Sequence, residues 1–317
     1  MELVKYLEEK KCFKLICGAG NQDLDEITKL SALYAAAGCR FFDVNASVEA
    51  VKAAKEGFRI VNKENECFIC VSVGTKNDPH LSKCKINQTV CNKCGLCKNS
   101  CIQQAINNKN ILFVIDEKKC IGCKKCLLSC PANAIESYYK NISFEKVLPS
   151  IIEEGIDCIE YHAISENEDE IISGWNTILK IYKGTLSVSI NRSKLGTEQL
   201  ISCLNRMKNC TEKDFIVQAD GLSMSGGVNN YRSTLQAIAT ADIIERANIT
   251  PYIIVSGGTN EKTMNLAKKC GLDISGFAAG SYARKIIKKY IDEDNFLQNP
   301  IIFNKALEVA KELVNSI

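Results

Sequence analysis

Apolar and polar positions along this chain fall into two alternating kinds of segment. Short runs rich in β-branched and aromatic residues are apolar at nearly every position. They read as strands buried on both faces, as parallel sheets require. Eight are present: Phe13–Gly18, Arg40–Asn45, Cys67–Gly74, Asp157–His162, Leu186–Asn191, Phe215–Gly221, Tyr252–Gly257 and Ser275–Gly280. Between them lie longer stretches whose apolar residues recur three and four apart, the helical period. These are Gln22–Ala37, Ser47–Asn62, Phe144–Glu154, Glu168–Tyr182, Thr197–Lys208, Arg232–Ala247, Glu261–Lys269 and Tyr282–Asp292, with Glu2–Glu9 and Asn304–Val314 flanking the series. Eight βα units in succession predict an α/β fold, a (β/α)8 TIM-like barrel. An open doubly wound sheet is the alternative. No GxGxxG follows the first strand to support it, and Gly18-Ala19-Gly20 is too short to count.

One region breaks the alternation. Residues 84–140 interrupt the third unit between its strand and its helix, so the barrel is read as 1–83 and 141–317, with an insertion in the third βα-loop. All eight βα-loops of a barrel lie on the C-terminal face, where active sites are built. The insertion is therefore expected beside or over the barrel mouth. The plainer reading is that loops are where insertions are tolerated.

Composition sharpens this. The chain has 317 residues, 46% hydrophobic and 24% charged, ordinary for a globular protein. Its net charge of +3, from 40 basic and 37 acidic residues, is too balanced for nucleic acid or a membrane surface as main partner. No apolar run approaches the roughly 18 residues of a bilayer span. The charged, amphipathic N-terminal segment has no secretory apolar core, so a cytoplasmic location is expected. Cysteine is the extreme value, at 18 residues. In a reducing compartment that abundance points to metal binding or redox chemistry.

Eight cysteines lie in two runs, Cys91-x2-Cys94-x2-Cys97-x3-Cys101 and Cys120-x2-Cys123-x2-Cys126-x3-Cys130-Pro131, an internal repeat with an offset of 29. The offset also maps Ala105-Ile106 onto Ala134-Ile135. Three cysteines two residues apart wrap three corners of a cuboidal cluster, and a distant residue must supply the fourth. Gly95 and Gly122 let the backbone approach it. A structural zinc site is the alternative, but zinc prefers two CxxC pairs with a spacer. The runs resemble those of bacterial two-cluster ferredoxins, in which the fourth cysteine of each run ligates the other cluster. The resemblance implies two 4Fe–4S clusters, one on Cys91, Cys94, Cys97 and Cys130, the other on Cys120, Cys123, Cys126 and Cys101. Ile102 departs from the pattern, where the family usually has proline. The lysines around Cys120–Cys126 either dock an acidic redox partner or offset thiolate charge.

Polar residues gather at the strand ends, as a catalytic face requires. They are Asn21; Asp43 and Asn45; Ser72 and Lys76; Glu160 and His162; Asn191 and Arg192; and Gln218, Asp220 and Ser223. His162 is one of two histidines, with His80 near the insertion. His162 and Asp220 are candidate proton-transfer groups, or else structural caps. Gly257-Gly258 after strand seven and Gly280-Ser281 after strand eight resemble the phosphate cradle of FMN-binding barrels, so FMN or another phosphorylated ligand is a candidate. Ser225 and Gly226 belong to a glycine- and serine-rich loop that could line the same pocket, with Asn21, Asp43 and Asn191.

The chain as a whole resembles the light-dependent period protein LdpA family. The resemblance rests on Phe13-Lys-Leu-Ile-Cys-Gly-Ala, Cys39-Arg-Phe-Phe-Asp43-Val, Ala53-Ala-Lys-Glu-Gly57, the paired runs, and Asp220-Gly-Leu-Ser-Met-Ser-Gly226. It implies an iron–sulfur barrel; its founding members are tied to cyanobacterial clock input and cellular redox state. Among the remaining cysteines, Cys67 and Cys70 lie three apart on a strand and face opposite sides. Cys17 could face the mouth, and Cys84 sits at the insertion's entry; both are candidate redox or extra ligand thiols. Cys12, Cys39, Cys158, Cys203, Cys210 and Cys270 read as buried. No CxxxCxxC run marks a radical-SAM enzyme. The expected function is electron transfer or redox sensing, with a redox protein or iron–sulfur enzyme as partner. The alternatives are a barrel oxidoreductase fed by the clusters, and a cluster or sulfur donor using Cys17 or Cys84.

Overall fold

The computed structural model describes residues 3–18, 20–74, 78, 82–139, 143–192, 195–221 and 231–317. In chain order the elements begin with α1 (Leu3–Glu8), β1 (Cys12–Ile16), α2 (Leu24–Ala36), β2 (Phe41–Asn45), α3 (Val48–Ile60) and β3 (Phe68–Gly74). There follow β4 (Ser82–Ile86), α4 (Leu96–Ser100), β5 (Ile106–Lys109), β6 (Leu112–Ile115), α5 (Lys125–Leu128) and β7 (Ile135–Tyr139). The chain continues with α6 (Phe144–Glu153), β8 (Cys158–His162), α7 (Glu168–Ile181), β9 (Thr185–Asn191), α8 (Thr197–Asn209) and β10 (Ile216–Asp220). It closes with α9 (Tyr231–Arg246), β11 (Ile253–Ser256), α10 (Thr263–Lys269), β12 (Gly276–Ala279), α11 (Ser281–Ile291) and α12 (Pro300–Val314).

Eight strands close into a barrel in the order β1-β2-β3-β8-β9-β10-β11-β12, every pair parallel. Each predicted barrel strand is present within two residues of its expected ends. The helices start where side chains satisfy free backbone N–H groups: Asp23 accepts from Glu26 N, and Ser47 from Ala50 N. The last helix begins earlier than its apolar period suggested, because Asn299 caps it and Pro300 occupies its first position.

Alternation along the strands sorts the residues. One parity, including Phe13, Phe42, Val71, Tyr161, Val188 and Phe277, packs outward against the helices in the main core. The other parity faces the barrel axis and changes character along it. At the N-terminal end Cys12, Phe41, Phe68, Cys70, Cys158, Ile216 and Ile254 pack together and onto Leu3, Tyr6 and Leu7 of α1. Further along, six of the eight strands turn polar toward the axis, with Lys14, Asp43, Ser72, Glu160, Ser187 and Gln218 all buried. A TIM barrel is ordinarily filled with branched apolar side chains. This one carries a buried charged and polar layer above an apolar base.

Between β3 and α6 the chain leaves the barrel. There β4 pairs antiparallel with β7, placing Cys84 opposite Ser137, and β5 pairs with β6.

Candidate functional site

The two cysteine runs fold as two halves of one small body. The offset of 29 seen in the sequence recurs in the backbone. Left-handed residues come in pairs at that offset: Lys93 and Gly122, Gly95 and Lys124, Gln104 and Asn133. Each of the first two pairs holds one glycine, so Lys93 and Lys124 take φ near 60° with a side chain present. Such strain is characteristic of sites that the surrounding structure over-determines. Ser100 and Ser129, also repeat mates, are hydrogen-bonded to each other through their hydroxyls at 2.9 Å. Ala105 N–H donates to Cys101 Sγ and Ala134 N–H to Cys130 Sγ, each at 3.3 Å.

Cys101, Cys120, Cys123 and Cys126 line one pocket, together with Cys84, Gly122, Ile106 and Ile115. Burial pushes the Cys123 thiol up, and its neighbours Cys101 and Cys126 add to this. Cys120 is instead held down at about 6, chiefly by a hydrogen bond from Cys84, with Lys83 contributing. In the other half, burial raises the Cys97 thiol, and the thiols of Cys126, Cys91 and Cys130 raise it further. The fourth cysteine of each run thus lies beside the other run. Among the described residues no three His, Cys, Asp or Glu side chains converge on a single point. The thiols line a cavity wall instead. Soft sulfur donors, backbone N–H groups aimed at two of those sulfurs and an apolar floor suit a 4Fe–4S cluster.

The halves differ in their surroundings. In the first set Cys94 is exposed, Cys91 and Cys130 partly so and Cys97 buried; in the second, Cys120 and Cys126 are buried and Cys101 and Cys123 partly exposed. The second half rests on the first βα-loop of the barrel. Lys83 Nζ donates to Cys120 O at 2.5 Å and to Gly20 O at 2.8 Å. Gln22 N–H donates to Lys118 O at 3.1 Å, and Lys119 pairs with Asp23 at 3.7 Å.

Inside the barrel a charged network runs toward the same mouth. Lys14 Nζ lies 2.5 Å from Glu160 Oε2, 3.0 Å from Gln218 Oε1 and 3.6 Å from Asp43 Oδ2. Burial alone would strip Lys14 of its proton, but Glu160 and Asp43 hold its pKa well above the ordinary value. It is therefore an ammonium, not a free amine. Burial also works against the Glu160 carboxylate, yet Lys14 and His162 keep it at about 2. Asp43 goes the other way: burial lifts it to about 6 despite Lys14. His162 Nδ1 contacts Asp78 Oδ2 at 2.8 Å, and its Nε2 lies 3.6 Å from Glu160. Burial lowers the imidazole pKa, but Asp78 and Glu160 outweigh it and keep the ring charged. Asp78 sits on the connection from β3 to β4, so this contact ties the barrel to the crossing chain.

The mouth residues named from sequence separate into groups. Asp43 and His162 belong to the network; Asp220, whose pKa is raised by burial, accepts from Ser189 at its rim. Asn21 shapes its own loop, donating to Cys17 O at 3.2 Å and to Glu26 Oε2 at 2.5 Å. Asn45 donates to Asn21 O, and Asn191 is buried at the end of β9. Gly257 and Gly258 both take φ of 80°, and their carbonyls accept from Ser233 and Thr234. Gly280 precedes α11, which starts at Ser281 without a side-chain cap. Ser225 and Gly226, with Lys76, His80 and Ser223, lie outside the described residues.

Three cysteine expectations are corrected. Cys17 does not face the mouth; its parity turns it outward into the main core, fully buried. Cys210 and Cys270 are exposed, because both sit at helix C-caps, α8 and α10, where the chain turns back through solvent.

Comparison with known proteins matches residues 150–316 to the light dependent period A C-terminal domain, more than half of the chain. The chain belongs to the light dependent period A family. The Light dependent period A protein of Synechococcus elongatus is 25% identical over 324 residues, covering 96% of this chain and 90% of that one. Residues 113–136 match the 4Fe-4S binding domain, so the chain carries a 4Fe–4S binding motif. A probable iron-sulfur protein of the Frd operon of Proteus vulgaris is 41% identical over 49 residues, 15% of this chain and 31% of its own. Among solved structures, the YdjI aldolase of Escherichia coli K12 superposes with a TM-score of 0.52 at 7% identity, covering 98% of this chain and 93% of that one. At that identity the likeness shows the barrel fold alone. No described helix is long and apolar enough to cross a membrane.

Sequence reading missed Lys14 and Asp78 as members of the barrel's interior network. Lys14 had a signal: a lone lysine between Phe13 and Leu15 in a strand otherwise apolar on both faces. Asp78 had none, since only folding brings it against His162.

Proposed function

We propose that this protein is an iron–sulfur electron-transfer protein holding two 4Fe–4S clusters in a ferredoxin-like insertion spanning residues 84–140. The ligands are Cys91, Cys94, Cys97 and Cys130 for one cluster, and Cys120, Cys123, Cys126 and Cys101 for the other. The observation that carries this reading is the single pocket lined by the second set, which draws Cys101 across from the first run. A bound 4Fe–4S cluster takes up and releases one electron at a time. The chain's own part is to hold thiolates, donate N–H groups to them, and set one half in solvent and the other on the barrel. Exposed Lys93 and Lys98 beside Cys94 suit an acidic redox protein or iron–sulfur enzyme as partner. The test is anaerobic purification with iron and sulfide counted, followed by reduction. About eight of each and reversible bleaching are expected; zinc in their place overturns the reading.

A second reading is favoured by the buried charges of the barrel. Ion pairs in a core are costly to assemble and gather at functional sites. Here the barrel would be an oxidoreductase, with His162 and Asp220 handling protons and Asp43 and Asn191 lining the pocket. Gly257, Gly258, Gly280 and Ser281 would hold the phosphate of FMN or another phosphorylated ligand. The loops after β11 and β12 are neighbours in the barrel, as such a site needs. Acid release of stoichiometric flavin or phosphate ester, lost in Gly258→Glu while iron stays, is its test; a ligand retained by that variant removes the phosphate assignment.

A further inference from the structure

The pocket of the second cysteine set has five thiols for four corners. The fifth, Cys84 on β4, is 4% exposed. It packs with Cys97, Cys120 and Cys126 in the small core of the module, and it lines one pocket wall together with Cys120 and Cys126. Its strand position is fixed, since β4 pairs with β7 through Cys84 and Ser137. The pairing fixes the Cα of Cys84 beside the second set.

The repeat shows which of the five is surplus. Adding the offset of 29 to Cys84 gives Phe113, on β6. Phe113 lies against the first run: a Cβ placed on Gly95 would meet its ring at 3.3 Å. The same structural position thus presents a phenyl ring to one cysteine set and a thiol to the other. A phenyl ring ligates nothing, so the position is not a ligand position in this architecture. A thiol there has one proton and no corner to fill.

We infer that Cys84 donates its single S–H to a ligand sulfur of the second cluster and so sets that cluster apart from the first as the better electron acceptor. Hydrogen bonds onto cluster sulfurs spread the negative charge that reduction adds, and they are among the factors that set cluster potentials. Phe113 offers the first cluster no such donor. The two halves, otherwise repeats of each other, then hold electrons unequally, with the barrel-facing side favoured. Cys84 is a positioning and tuning residue, not a ligand. The inference rests on the two-cluster reading above.

The experiment compares the anaerobically purified full chain with Cys84→Ala, Cys84→Ser and Phe113→Cys. The readouts are iron and sulfide per chain and a redox titration followed by EPR. Unchanged iron is expected in all three variants. Cys84→Ala shifts the reduction equilibrium of one cluster about threefold to tenfold toward the oxidised form, the scale of one hydrogen bond. Cys84→Ser keeps a donor and shifts it less. Phe113→Cys moves the other cluster toward reduction and narrows the gap. Loss of about four iron in Cys84→Ala makes Cys84 a ligand and overturns the inference; so does an unchanged titration in both Cys84→Ala and Phe113→Cys. A wild-type chain without about eight iron sinks the underlying two-cluster reading instead.

Discussion

The two halves of the cysteine module share one repeat but not one environment. The first half exposes Cys94 and ends in the exposed Ile102. The second buries Cys120 and Cys126 and is held to the barrel through Lys83, Lys118 and Lys119. Repeat mates make the contrast sharp. Lys83 ties two backbone carbonyls, whereas its mate Leu112 is 37% exposed. Cys84 faces thiols, whereas its mate Phe113 packs on Gly95. The duplicated fold has kept the backbone N–H donors to Cys101 and Cys130 and has diverged at Lys83 and Leu112 and at Cys84 and Phe113.

The largest effects come from removing ligands. Cys91→Ala and Cys120→Ala should each lose about four iron. Only Cys120→Ala should also lower the melting temperature of the barrel, since only its half is seated there. Equal effects on the barrel would erase the distinction between the halves.

Glycines give the next test. A Cβ on Gly122 would meet Ser82 O at 2.2 Å with φ at +66°. One on Gly95, with φ at +76°, meets nothing closer than the Phe113 ring at 3.3 Å. Gly122→Ala should cost more than 2 kcal/mol and Gly95→Ala about 1 kcal/mol, by denaturant titration. Lys83→Met, which leaves two carbonyls without their donor, should cost about 1–3 kcal/mol. Leu112→Met should stay within about 0.5 kcal/mol.

The smallest effect is a pH dependence on the barrel side of the contact. Asp78 and Glu160 raise the His162 pKa in the folded state, so its contribution to stability is complete below about 6.5, the unfolded value. It is lost as pH rises through the higher folded value. NMR should find this imidazole still charged at about pH 7.5. A midpoint at or below 6.5 would show that the ion pairs with Asp78 and Glu160 do not form.

Much of this was readable from residues alone, for physical reasons. Buried parallel strands are apolar throughout and bounded by turns, so all eight barrel strands stood out. The cysteine spacing carries the cluster geometry within itself. What stayed hidden depends on parity and on long-range contact. Cys17 follows β1 by one residue, and one residue of parity separates the barrel axis from the outer core. Lys14 reads as a polar interruption until the register brings Glu160, Gln218 and Asp43 around it. Cys210 and Cys270 continue apolar helical periods but fall just past the helix ends. Cys84 could be numbered as the mate of Phe113 from the sequence, yet nothing there says that this position faces a cluster.

The central claim is two clusters with crossed ligands, and the family model for 4Fe–4S binding covers only the second run. The most direct test is the iron and acid-labile sulfide content of the anaerobically purified chain. About eight of each per chain is the result this account predicts. About four of each would leave the first run without a cluster and contradict it.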